Sequence, residues 1–146
     1  MPKLEFRTAR GEVWVAEIVV DIVPVTWQRL REYLPRTIKA YNARWSGRET
    51  HMTINLPQKP PRENQILYAS TGDVIYACEW PETRNYTGFE AIGWFYSGEV
   101  IRDWRGDFAV NHIGRINPGY FPLIEEFGNR SWKEGGQDVT LRAIDD

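Results

Sequence analysis

The chain of 146 residues predicts a mainly β protein, a closed antiparallel β-barrel with one or two short capping helices, and three observations carry that expectation. From Thr37 to Ile116 the hydrophobic pattern repeats every two residues, as pleated strands with one packed face require. Seven Trp, seven Tyr and six Phe supply the large side chains that pack on sheets. Glycines punctuate several of the connections, and closing such a sheet removes the unpaired edges that would otherwise invite aggregation.

Strands are expected over Lys3 to Thr8 and Glu12 to Val20, a hairpin joined by Ala9-Arg10-Gly11. A helix from Trp27 to Leu34 follows, with Thr26 as its cap, Val25 and Leu30 as a hydrophobic staple, and Pro35 ending it. Its buried face carries Trp27, Leu30 and Leu34. Further strands are expected over Thr37 to Trp45, Glu49 to Asn55, Ile66 to Ala69, Asp73 to Trp80, Thr87 to Tyr96 and Phe108 to Ile116. Leu56 to Pro61 and Trp80 to Tyr86 read as surface loops. A second helix is expected over Phe121 to Phe127, closed by Gly128, and a last strand over Asp138 to Ile144. The whole of 1–146 reads as one domain without repeats or linkers.

Charge narrows the function classes. With 18 basic and 20 acidic residues spread along the chain and a formal charge of −2, there is no footprint for a phosphate backbone, so nucleic acid is not expected as a partner. No apolar run approaches the roughly 20 residues of a membrane helix, and Met1 to Glu5 lacks the apolar stretch of a secretory signal. A cytoplasmic location follows as the expectation, and the lone Cys78, which has no disulfide partner, agrees with it.

Three motifs resemble those of the cyclophilin-like barrels, and more narrowly the bacterial family of unknown function DUF3830. Val23-Pro24-Val25-Thr26 resembles the family's Pro-x-Thr helix entry. Ala43-Arg44-Trp45-Ser46-Gly47 resembles its Ala-Arg-Trp-Ser-Gly-Glu motif, with Arg48 here before the acid Glu49. Gly72-Asp73-Val74-Ile75-Tyr76 is similar to its Gly-Asp-Ile-x-Tyr strand, followed by Phe95-Tyr96-Ser97-Gly98 and Asn111-His112. The resemblance covers residues 3 to 116 and implies an eight-stranded closed barrel. The stretch 117–146 matches least and is expected to be an elaboration of this chain. In true cyclophilins an arginine on the corresponding strand grips the carbonyl before proline, a role the resemblance would give Arg44. The isomerase run Phe-x-Met-x-Gln is absent, however, and His51-Met52-Thr53-Ile54-Asn55 stands in its place.

Arg44 is the leading site candidate, because its guanidinium presents a planar fork of donors to a carboxylate or imide-like carbonyl pair. The alternative is an arginine stacked on Trp45 or paired with Glu49 to pin the turn. His51 and His112 are the only histidines and candidate acid–base groups, His112 having the alternative of a hydrogen-bonded structural role. Trp45 is a candidate ligand-binding residue, and the resemblance would place Glu63, Asn64 and Tyr68 near the Arg44 end as candidates for the polar lining of a pocket. No cofactor is expected and no metal, since no His-x-His or Cys-x-x-Cys pairing exists. Cys78 alternates with Val74 and Tyr76 and is expected to be a buried hydrophobe, while Glu79 on the opposite face is expected to meet solvent. Trp94, Phe95 and Tyr96 cannot all point inward, so a homo-oligomer is expected to cover part of the aromatic surface unless Trp104, Trp132, Tyr120 and Phe121 do so. The leading functional expectation is a pocket for a small anionic or amide-like metabolite walled by Arg44, Trp45 and His51, with hydrolysis or isomerisation as the chemistry if there is turnover. The alternatives are a proline-peptide module, with or without isomerisation, and a noncatalytic partner subunit.

Overall fold

The computed structural model describes residues 1–144. Its strands are β1 (Lys3–Thr8), β2 (Val13–Ile18), β3 (Arg36–Asn42), β4 (Glu49–Thr53), β5 (Gln65–Ile66), β6 (Tyr68–Ala69), β7 (Asp73–Cys78), β8 (Glu90–Phe95), β9 (Glu99–Val100), β10 (Arg102–Asp103), β11 (Gly106–Asp107), β12 (Val110–Ile116) and β13 (Gln137–Ile144). The helices are α1 (Pro24–Tyr33) and α2 (Phe121–Glu134), the second entered through a 3-10 turn at Pro118–Tyr120. Neighbours run β2-β1-β13-β3-β4-β8-β7-β12, and β12 pairs back onto β2, so eight antiparallel strands close on themselves. The expected barrel is there, with β5 a short addition to β12.

Of the stretch 117–146, the described part carries α2 and β13, and β13 lies between β1 and β3 as one of the eight barrel strands. The first helix begins earlier than expected. Thr26 is buried inside α1 rather than capping it, and no side chain of the preceding residue caps the helix. Glu63 does so from a distant loop, its carboxylate accepting from the backbone amides of Val25 and Thr26 and from the Thr26 hydroxyl. The second helix runs past Gly128 to Glu134 and ends at Gly135, with φ 93°. Gly128 is no stop signal: it is interior because the Tyr96 ring crosses α2 there, and a Cβ would sit 2.2 Å from that ring.

Alternation along the strands divides the apolar residues between two cores. Phe6, Trp14 and Trp94 fill the barrel, with Phe127 of α2 inserted against them at 5.1 Å from the Trp14 ring and Trp27 and Leu30 of α1 joining the same cluster. Val74, Tyr76 and Cys78 point inward, which makes Cys78 the buried small hydrophobe expected. Ile75, Ala77 and Phe95 point outward into a second cluster with Ile101 and Val110. β7 and β8 are therefore buried on both faces, their outer face covered by the segment that carries β9, β10 and β11. The three aromatics of the β8 end are covered within the chain: Trp94 lies inside, Phe95 outside in the second cluster, and Tyr96 against α2. Trp104 and Trp132 remain exposed.

Candidate functional site

A cavity of about 520 Å³ opens where that covering segment stands away from the outer face of β4 and β8. Its floor follows from strand alternation. Thr50 and Met52 of β4 are fully buried, Met52 within the barrel core, which turns Glu49 and His51 to the outer face, two residues apart and side by side. Tyr41 on β3 pairs with His51, and Gly93 on β8 pairs with His51 from the other side. Ile75, Ala77 and Ala91 complete an apolar floor. Gly93 makes room for the acid: a Cβ at that position would lie 2.1 Å from Glu49 Oε2.

The mouth is formed by two fastened segments. The turn after β3 brings Arg44 and Trp45 to the rim, and Gly47 closes it with φ 68°, a conformation side-chain-bearing residues avoid. Asn42 Nδ2 donates to the carbonyls of Ala43 and Gly47, both at 3.0 Å, and the Arg48 amide donates to Glu99 at 3.0 Å. Ser46 bridges this turn to β10: its hydroxyl donates to the Arg102 carbonyl at 2.9 Å and accepts from the Arg102 amide at 3.0 Å. Arg102 and Trp104 thereby face the cavity from the opposite side. Farther round, Arg105 binds Asp103 and Glu79 and donates to the carbonyls of Arg84 and Asn85.

Glu79 corrects one expectation, since it is buried and not solvent facing. It continues the outer face of Ile75 and Ala77 past the end of β7, and the segment that carries Arg105 covers that face. Burial would raise its carboxyl, but the Thr87 hydroxyl, the amides of Gly88 and Thr87, and Arg105 hold it down at about 2. It is a structural anion.

Glu49 is the opposite case. The other buried glutamates have donors or cations: Glu5 has Arg142, Glu79 has Arg105, and Glu90 receives Tyr76, Lys59 and the Leu56 amide. Among the described residues no cation pairs with Glu49, and burial pushes its carboxyl from 4.5 up to about 8, against a weaker pull from the Ser46 hydroxyl. That hydroxyl has one proton, which the geometry gives to the Arg102 carbonyl, so little relief comes from it. At neutral pH Glu49 is a neutral acid. Beside it burial holds His51 below its ordinary 6.5, with the Tyr41 backbone opposing, so the imidazole is neutral too. His51 Nδ1 is buried without a hydrogen-bond partner, and the ring faces Phe89 at 6.1 Å.

The cavity thus brings together Arg44, Trp45 and His51 of the residues expected in a site, and leaves out His112, Asn64 and Tyr68. His112 Nε2 meets Asp73 Oδ1 at 3.0 Å, with Asn64 at its other nitrogen, which is the hydrogen-bonded arrangement considered for it. Tyr68 is exposed on β6, paired with β9. Glu63 is occupied at α1. Arg44 neither pairs with Glu49 nor stacks on Trp45 among the described residues. Sequence reasoning missed Glu49, Arg102 and Trp104 as site residues. The signal for Glu49 was its two-residue spacing from His51; no periodic signal marks the other two. Among the described residues no group of three His, Cys, Asp or Glu side chains is placed to hold a metal ion, and no helix is long and apolar enough to cross a membrane.

Comparison with known proteins settles the family. The family described as a protein of unknown function, DUF3830, matches residues 8–143. The chain belongs to the DUF3830 family. Its match runs through α2 and into β13, beyond the 3 to 116 of the motif resemblance. This DUF3830 chain is similar in fold to McbB, whose structure is in complex with tryptophan, with TM-score 0.69 and 17% identity over 98% of this chain. It spans about half the length of that protein, 46%. It is also similar to the hypothetical protein AF2241 from Archaeoglobus fulgidus, with TM-score 0.60 and 24% identity over 96% of this chain and 92% of that one. No curated protein matches it.

Proposed function

We propose that this DUF3830 chain binds a small anionic or amide-like metabolite in the cavity of β4 and β8 and moves a proton on it through Glu49. The observation that carries the reading is a buried carboxyl raised to about 8 in the floor of a 520 Å³ cavity, with no cation to compensate it. A fold gains nothing in stability from such a group, whereas an acid poised near neutral pH suits proton transfer. Glu49 gives or takes the proton, the neutral His51 imidazole lines the cavity beside it, and Arg44 holds anionic or developing charge at the rim. Isomerisation by proton relocation and hydrolysis of an amide both fit this set. Recognition of a proline peptide fits less well, because Met52 points into the barrel and cannot line the outer surface.

The test is a thermal-shift screen of carboxylates, cyclic amides and proline peptides on wild type, Arg44→Ala and Glu49→Gln. A ligand is expected whose stabilisation falls in Arg44→Ala and persists in Glu49→Gln, with turnover of that ligand lost by about a hundredfold or more in Glu49→Gln. Equal turnover in wild type and Glu49→Gln would remove Glu49 from the chemistry.

A further inference from the structure

We infer that the ligand of this cavity is an aromatic or heteroaromatic carboxylate, its ring between Trp45 and Trp104 and its carboxylate on Arg44 and Arg102. The inference rests on the proposed site for its location, but its observations lie at the mouth and not at Glu49. The first is charge. Several arginines elsewhere are engaged with carboxylates: Arg130 with Glu12, Arg105 with Asp103 and Glu79, Arg115 with Asp73 and Arg142 with Glu5. Arg44 and Arg102 are exposed, and neither is paired with a carboxylate among the described residues. Asp103, the acid nearest to them in sequence at the rim, is already taken by Arg105 at 2.7 Å. Two free guanidinium groups on opposing segments therefore face one opening, an arrangement suited to a single planar anion.

The second observation is the apolar surface. Trp45 and Trp104 are 51% and 54% exposed, and both line the cavity. Neither takes part in the apolar clusters of the fold. Trp104 carries the Arg105 guanidinium over its ring at 5.1 Å, and Arg105 is fixed by its carbonyl and carboxylate partners, so the indole is held in place. The segments bearing the two indoles are tied together through Ser46, which sets the width of the opening. Below them the floor of Ile75, Ala77 and Ala91 offers no donor, and the polar groups Glu49 and His51 stand to one side. A ring with a carboxylate at one end and a hydrogen-bonding atom at the other matches these surfaces in order. A volume of 520 Å³ accommodates one such bicyclic molecule.

Isothermal titration with indole-3-acetate, cyclohexylacetate and indole-3-acetamide separates the parts. Indole-3-acetate is expected to bind at least about tenfold more tightly than either analogue, a difference that aromatic contacts and a charge-assisted pair each support. Arg102→Ala is expected to erase the preference over the amide, and Trp104→Ala the preference over the cyclohexyl acid; both side chains are exposed, and unchanged melting points verify that the variants fold. Equal affinity for indole-3-acetate and cyclohexylacetate would overturn the aromatic class while leaving a carboxylate site. Absence of binding by all three overturns the ligand class altogether. The acid–base reading is tested separately by repeating the titration at pH 8 in two buffers of different ionisation heat: ring preference without Glu49-dependent proton exchange would sink that reading and leave the ligand class standing.

Discussion

Glu49→Gln is expected to abolish a loss of stability that the wild-type protein shows as pH rises from about 4.5 to about 8. The folded chain holds a proton on Glu49 up to about pH 8, whereas the unfolded chain releases it near 4.5. Between those values the unfolded state binds fewer protons, so stability falls as pH rises, by an amount on the order of 5 kcal/mol across the window. On the acid side the sign reverses. Glu79, held at about 2, and Asp73 and Glu12, also held below their ordinary values, stabilise the fold above the carboxylate range and lose that contribution as pH falls. Wild type should therefore be most stable under mildly acidic conditions. Urea unfolding from pH 4 to 9 checks this: the decline between about pH 4.5 and 8 should be steep in wild type and shallow in Glu49→Gln, levelling off above 8, with the acid limb unchanged. Parallel curves for the two proteins would mean that the carboxyl titrates normally.

Gly93→Ala should injure the same site from beneath. The new methyl would meet Glu49 Oε2 at 2.1 Å and Ile75 Cδ1 at 3.2 Å, so the carboxyl must swing out of its niche toward the cavity mouth. An overpacked position of this kind costs about 1–3 kcal/mol. The displaced acid also regains water, and its penalty as pH rises should shrink with it. A double-mutant cycle identifies the cause. In a Glu49→Ala background the Oε2 clash is gone, leaving the milder Ile75 contact, so Gly93→Ala should cost at least about 1 kcal/mol less than in wild type. Strict additivity would place the strain elsewhere in β8.

These two residues also mark where the sequence stops being legible. The staves of the barrel announce themselves because period two is a local property, and the rim residues Arg44 and Trp45 stood out because a strand end with a cation and an indole is unusual. His51 reached the cavity as expected. Glu49 was visible only as a partner for Arg44, because what makes it an acid is a roof contributed by residues 97–109, a segment of two-residue strands with no periodicity to read. Burial of a strand's outer face is a tertiary fact. Glu79 misleads for the same reason: the outer face it continues reads as solvent facing until the segment that carries Arg105 covers it and closes a network with Thr87 and Glu79. Gly128 looked like a helix stop because glycine is one in isolation, yet the ring of Tyr96, distant in sequence, requires it inside α2.

A carbon-detected NMR titration of the Glu49 carboxyl, assigned by comparison with Glu49→Gln, addresses the central claim most directly. The expected result is a single transition near pH 8, moved by a carboxylate ligand. A transition near 4.5 would show an ordinary solvated carboxylate, and the acid–base site proposed for this barrel would be wrong.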